Sequence, residues 1–161
     1  MMDKKLSLEY LEFLKNYINV LKEFIEVENR KFEILSLNQL DMLDDCVKLE
    51  EVYLLKTRGL EQERLKYMER LGHPDLKFRK LIPLLPEEVK EDYTKVFEEI
   101  SDTVKELRRI NLQANSAAKI RLQQIEKVID KLENNNTALK NSYNREAQKE
   151  NKASNFISKK I

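Results

Sequence analysis

Residues 87–134 read EEVKEDYTKVFEEISDTVKELRRINLQANSAAKIRLQQIEKVIDKLEN, and the fold turns on how this stretch is read. One face is marked out at Tyr93, Phe97, Ile100, Val104, Leu107, Asn111, Ala114, Ala118, Arg121, Ile125, Val128 and Leu132, in steps of four and three. That 3.5-residue period is the signature of a helix packed lengthwise on another helix. Neither Gly nor Pro interrupts it, and Pro86 followed by Glu87 and Glu88 suits a helix start, with acids at the positive dipole end. At 1.5 Å per residue such a helix is about 70 Å long. Its seam carries large side chains in the first half and small or polar ones from Asn111 to Arg121. The thinned part has two readings, both open on pattern alone. Ala permits close approach of a bulky neighbour, or the seam is a shallow groove for a partner's amphipathic helix. Either way, a helix longer than its predecessors is expected to lack a full intramolecular partner along part of its length.

Upstream, Leu11, Leu14, Ile18, Leu21, Ile25, Glu28, Phe32 and Leu35 repeat the same alternation, which predicts a helix over residues 6–35. Glu28 is the one charged seam position, and it is expected to reach the solvent edge. Ser36 to Asp41 offers capping residues for a turn. A second helix follows over 39–71, with Met42, Cys46, Leu49, Tyr53, Leu60, Tyr67 or Met68, and Leu71 on its stripe. The short link makes helices one and two antiparallel neighbours. Gly72-His73-Pro74-Asp75 is a firm stop, since Gly suits the left-handed position after a helix and Pro cannot continue one. Two helical turns fit Asp75 to Ile82 before Pro83-Leu84-Leu85-Pro86 breaks the chain, and the long helix fills 87–133. The expected architecture is all-α. It is an elongated antiparallel hairpin or three-helix coiled-coil-like bundle over 1–133, followed by a polar tail over 134–161.

Composition narrows function by exclusion. The 161 residues are 37% charged and 41% hydrophobic, with two Gly, one His and one Cys. Two glycines cannot serve the turns of an all-β fold or the phosphate loops of α/β enzymes. His73 and Cys46 alone cannot make a zinc site, and the acidic doublets Glu50-Glu51, Glu87-Glu88 and Glu98-Glu99 have no histidine at di-metal spacing. These acids are expected on solvated helix faces, His73 in a solvated turn, and Cys46 as a buried, inert thiol. No catalytic, cofactor or metal residues are expected, and the chain is not expected to be an enzyme. A net charge of +1 argues against nucleic acid despite Arg108-Arg109 and Lys159-Lys160. The N-terminal apolar series is broken by Glu9, Glu12 and Lys15, which suits neither a signal peptide nor a membrane span, so a cytoplasmic place is expected. The tail holds six basic and two acidic residues, a charge of +4, which leaves −3 on the remainder. Its sparse apolar content predicts flexibility or partner-dependent order. Within it Tyr143 stands as an aromatic anchor among polar residues, a pattern suited to a short linear binding motif.

Taken in order, the long first helix, Leu35-Ser36-Leu37-Asn38-Gln39-Leu40-Asp41, Lys48-Leu49-Glu50, Arg64, Leu71-Gly72 and the run Leu107 to Asn115 form a recognisable series. Ser142-Tyr143-Asn144-Arg145 and the terminal Ser154 to Ile161 complete it. This series resembles the FlgN family of flagellar export chaperones over most of the chain. The resemblance implies a small helical cytoplasmic protein that needs no cofactor. Such a protein binds the C-terminal segments of the hook–filament junction proteins FlgK and FlgL, holds them unassembled, and delivers them to the export gate protein FlhA. It further implies that cargo lies along the C-terminal part of the long helix, at Asn111, Ala114, Asn115, Ala118, Arg121, Leu122 and Ile125. Tyr143 then occupies the position of a tyrosine that docks at the gate. The competing reading, from the uninterrupted seams, is a coiled-coil scaffold that self-associates, for instance as a homodimer.

Overall fold

The computed structural model describes residues 3–135. Four α-helices follow in order: α1 (Lys4–Ser36), α2 (Leu43–Arg70), α3 (Phe78–Leu81) and α4 (Glu87–Asn135), with 3-10 turns at Leu40–Met42 and Ile82–Leu84. No strand occurs among the described residues. The three long helices lie within a few residues of their expected bounds. α3 is one turn rather than two, because His73 to Leu76 is spent on a turn closed by Leu76 N–H on the His73 carbonyl at 3.3 Å.

Local sequence sets each end. Asp3 caps α1 by accepting the Lys5 amide on Oδ1 at 3.0 Å. α1 and α2 close with the same paired motif, in which two amides past the helix reach back to its last carbonyls. Gln39 donates to Ile34 at 2.9 Å and Asn38 to Leu35 at 3.4 Å; His73 donates to Met68 at 3.0 Å and Gly72 to Glu69 at 2.9 Å. Both motifs need one left-handed residue, and the sequence supplies Asn38 (φ 55) and Gly72 (φ 84). Asp44 and Asp45 lie in the first turn of α2, and Glu87 and Glu88 in that of α4, where the dipole favours them.

The chain divides into two compact units, each stitched from separated stretches. One takes the chain up to Val27 together with Lys48–Arg109; the other takes Glu28–Val47 and the chain from Ile110 onward. In the first unit α1 and α2 run antiparallel. Arg70 reaches Glu9 at 3.5 Å, Tyr17 reaches Glu61 at 3.2 Å and Tyr53 reaches Glu23 at 3.1 Å, so the numbers rise on one helix as they fall on the other. α4 lies parallel to α1, with the Tyr93 hydroxyl donating to the Ser7 carbonyl at 2.5 Å. The core here is aromatic: Tyr10 and Tyr93 are fully buried, Tyr10 stacks on Tyr67 at 5.2 Å, and Phe78 stacks on Phe97 at 5.6 Å.

Two expectations about charged residues are overturned. Glu28 does not reach the solvent edge: it is 0% exposed. Glu50 is not on a solvated face but buried, because it sits one turn beyond Cys46 on the covered stripe of α2. Cys46 is buried, as expected.

Candidate partner-binding face

The second unit holds the thinned seam. α1 supplies its last turns from Glu28, and α4 lies beside them from Ile110. Ala114 and Ala118 are buried, at 0% and 7% exposure, together with Ile34, Leu35, Leu43, Cys46, Ile110 and Ile129. Of the two readings of this stretch, close packing is the one observed: the small side chains let α1 come near.

A polar group sits in the middle of this packing. Glu28 Oε2 accepts from the Asn111 amide at 3.0 Å and pairs with Lys31 Nζ at 3.3 Å, both charges being 0% exposed. Asn115 donates to the Asn111 carbonyl oxygen at 3.3 Å. Two acceptors in the group, Glu28 Oε1 and Asn115 Oδ1, are buried without a hydrogen-bond partner. Buried charges persist where they are paired and hydrogen-bonded, and unmatched acceptors among them weaken the arrangement.

One turn further along α4, Arg121 straps the end of α1. Its Nε donates to the Leu35 carbonyl at 2.6 Å and its Nη2 to the Ser36 carbonyl at 2.9 Å. Both carbonyls lie in the last turn, at the negative end of a helix dipole, and the Leu35 oxygen has only the long 3.4 Å bond from Asn38 besides, so a guanidinium suits them.

Past Arg121 the cover thins: of the apolar side chains there, Ile129 alone is buried among the described residues. Leu122 and Ile125 are half-buried, and Val128 and Leu132 are 60% and 49% exposed. The turn between α1 and α2 adds Leu37, Leu40 and Met42 to the exposed apolar side chains of this unit. The seam positions named in sequence therefore divide. Asn111, Ala114, Asn115, Ala118 and Arg121 face the chain's own α1; Leu122 and Ile125 begin the open end. Val128 and Leu132 complete that end. Tyr143 and the 134–161 tail, apart from the last helical residues Asn134 and Asn135, lie outside the described residues.

The first unit offers a different concavity of about 500 Å³, walled by Tyr17, Leu21, Phe78, Phe97, Ile100 and Arg64. Arg64 donates from Nη2 to Glu61 at 2.7 Å and from Nε to both carboxylate oxygens, and this bonding holds the Glu61 carboxyl below its ordinary range. Burial, with the Glu61 charge beside it, pushes the Tyr17 hydroxyl up to about 12. Glu61 and Arg64 pair with each other on its wall, and Asp75 and Lys77 also line it.

What the second unit presents is an apolar helix end with polar contacts leading into it. Among the described residues no group of side chains is placed to hold a metal ion, and no helix is long and apolar enough to cross a membrane. The family model for FlgN protein matches residues 2–151. The chain belongs to the FlgN family, the family of flagellar export chaperones. No curated protein and no solved structure matches the chain. FlgN membership is in keeping with a fold made of long helices.

Proposed function

We propose that this FlgN-family protein works in the cytoplasm as a chaperone for type III flagellar export, binding the C-terminal helices of the hook-associated proteins FlgK and FlgL. The observation that carries the reading is the open end of the α4 seam, where Leu122 and Ile125 lead into exposed Val128 and Leu132. A helix that packs inside a polymer is apolar on one face and aggregates when alone; this seam gives that face somewhere to go. Burial of a few large side chains yields a modest affinity, which suits cargo that must be released. The basic tail then carries Tyr143 to the export gate protein FlhA while cargo stays bound.

The test is co-purification from a strain expressing tagged chain with FlgK and FlgL. Recovery of either in a one-to-one complex supports the reading, and recovery of neither sinks it. A stable cargo-free oligomer by light scattering would instead favour the self-associating scaffold. Tyr143→Ala is expected to weaken docking to FlhA with cargo binding intact; equal loss of both would remove the role given to Tyr143.

A further inference from the structure

We propose that a guest helix takes the place of the last two turns of α1 on α4, so that residues 28–36 act as an occupant displaced when cargo arrives. This rests on the chaperone reading above and specifies where and how its guest sits.

Four observations lead there. Under residues 28–36 the seam includes Ala114 and Ala118, whose methyl groups add little apolar area, so what the segment buries as apolar anchor is Ile34 and Leu35 at its end. Polar contacts hold the rest: Asn111 on Glu28 at 3.0 Å, and Arg121 on the Leu35 and Ser36 carbonyls at 2.6 and 2.9 Å. Water can replace each of these when the helices part, which it cannot do for an apolar contact. The closed state also leaves Glu28 Oε1 and Asn115 Oδ1 buried and unmatched, and opening hydrates both. Finally, the chain's compact units divide at Val27/Glu28 and at Arg109/Ile110, so these contacts are internal to one unit.

The same contacts describe the guest. Arg121 grips the end of a helix, through the Leu35 carbonyl, which also takes the long Asn38 bond of the helix end, and through the Ser36 carbonyl. Asn111 presents an amide that meets a carboxylate seven residues before the first gripped carbonyl, as Glu28 stands to Leu35. The guest is therefore an amphipathic helix lying parallel to α4, ending at Arg121. It carries an acceptor side chain about two turns from that end and small or flat contacts over Ala114 and Ala118. A segment running on as helix past this point would meet the side chain of Arg121 without offering it a carbonyl, so C-terminal helices are favoured over internal ones.

The experiment uses the full chain and a synthetic peptide carrying the C-terminal helix of FlgK. Amide hydrogen exchange is followed with and without the peptide, in the natural chain and in the variant E28L/K31L, which replaces the occupant's buried charges by leucines and leaves Asn111 and Arg121 for the guest. The proposal expects the peptide to speed exchange at residues 30–36 in the natural chain. It expects the leucine variant to bind the peptide at least tenfold more weakly, because an apolar seam holds the occupant shut. It also expects, without any peptide, that residues 30–36 exchange far faster than residues 10–21 and that the leucine variant slows them at least tenfold. Added protection at 30–36 on binding, equal or tighter binding by the variant, or equal exchange at the two segments of the free natural chain would each overturn it. A natural chain that binds no peptide at all removes the chaperone reading, and the peptide-free exchange still decides whether residues 28–36 open. If the leucine variant does not fold, the natural chain's exchange with and without peptide decides alone.

Discussion

Gly72 and Asn38 do the same job at the ends of two helices, and they do it at different cost. Both hold a left-handed backbone, at φ 84 and φ 55. A side chain in that region costs about 1–2 kcal/mol, less for Asn, which bonds locally. Gly72→Ala is therefore expected to destabilise the protein by about 1 kcal/mol in urea unfolding, although a Cβ there meets nothing within 4 Å. Asn38→Gly is expected to stay within about 0.5 kcal/mol of the natural chain, since Gly relieves the strain and loosens the unfolded state. A larger penalty for Gly72→Ala than for Asn38→Gly is the readout. Tyr93 is the other residue whose role can be isolated. Its hydroxyl is the partner of the Ser7 carbonyl in a buried contact at 2.5 Å. Tyr93→Phe is expected to cost about 0.5–1.5 kcal/mol, because it removes one buried hydrogen bond while keeping the ring, and the Ser7 carbonyl keeps its place in the ladder of α1. Equilibrium unfolding measures it, and a neutral result would mean that water reaches Ser7.

At the scale of the element, α1 shows what periodicity can and cannot convey. Leu11, Leu14, Ile18, Leu21 and Leu35 were all legible as seam residues from their spacing, and all are buried. Lys31 was not, because its type argues for solvent; its ion pair with Glu28 at 3.3 Å makes the position tenable. The signal was available in combination: Glu28 and Lys31 three apart on a seam, with Asn111 at a seam position of a later helix. No single helix displays it. α4 was misread in a different way. A helix with 3.6 residues per turn lags a strict heptad by about 20° every seven residues. From Tyr93 to Val128 is five heptads, so the lag reaches about 100°, one residue's step. Ile129 is accordingly buried at 7% where the heptad placed Val128, which is 60% exposed. α2 carries the clearest excess flexibility. Gly59 stands mid-helix, and a Cβ built on it meets nothing within 4 Å. Gly59→Ala is thus expected to stabilise the protein by roughly 0.5–1 kcal/mol, read as a higher urea midpoint at unchanged slope. A loss of stability would mean that the helix is not continuous there.

For the whole molecule, buried phenols set an alkaline limit. Burial raises the hydroxyls of Tyr10 and Tyr93, and burial with the neighbouring Glu61 charge raises Tyr17 from 10.0 to about 12. A raised folded-state value means that stability is fully present below the unfolded value near 10 and declines as pH climbs through the folded one. Loss of helix by circular dichroism between about pH 10 and 12, coincident with tyrosinate absorbance, is the expected outcome. Tyr17→Phe should move the midpoint upward, and an unmoved midpoint would locate the limit elsewhere. Glu61 acts at the opposite extreme. Its carboxyl is held low by Arg64, so its contribution persists above the ordinary carboxylate range and fades as acid reaches its folded value.

The second unit joins Glu28–Val47 to a stretch that begins at Ile110, and the Asn111 to Glu28 bond closes a loop of 83 residues. On the ribosome the end of α1 therefore emerges long before the stretch that covers it. At roughly 5–20 residues per second, Ile34 and Leu35 spend several seconds without their partners. During that interval the nascent protein exposes a greasy helical face of its own. On the proposed reading, a chaperone assembled in this order needs its own seat filled before it can offer that seat to anyone else.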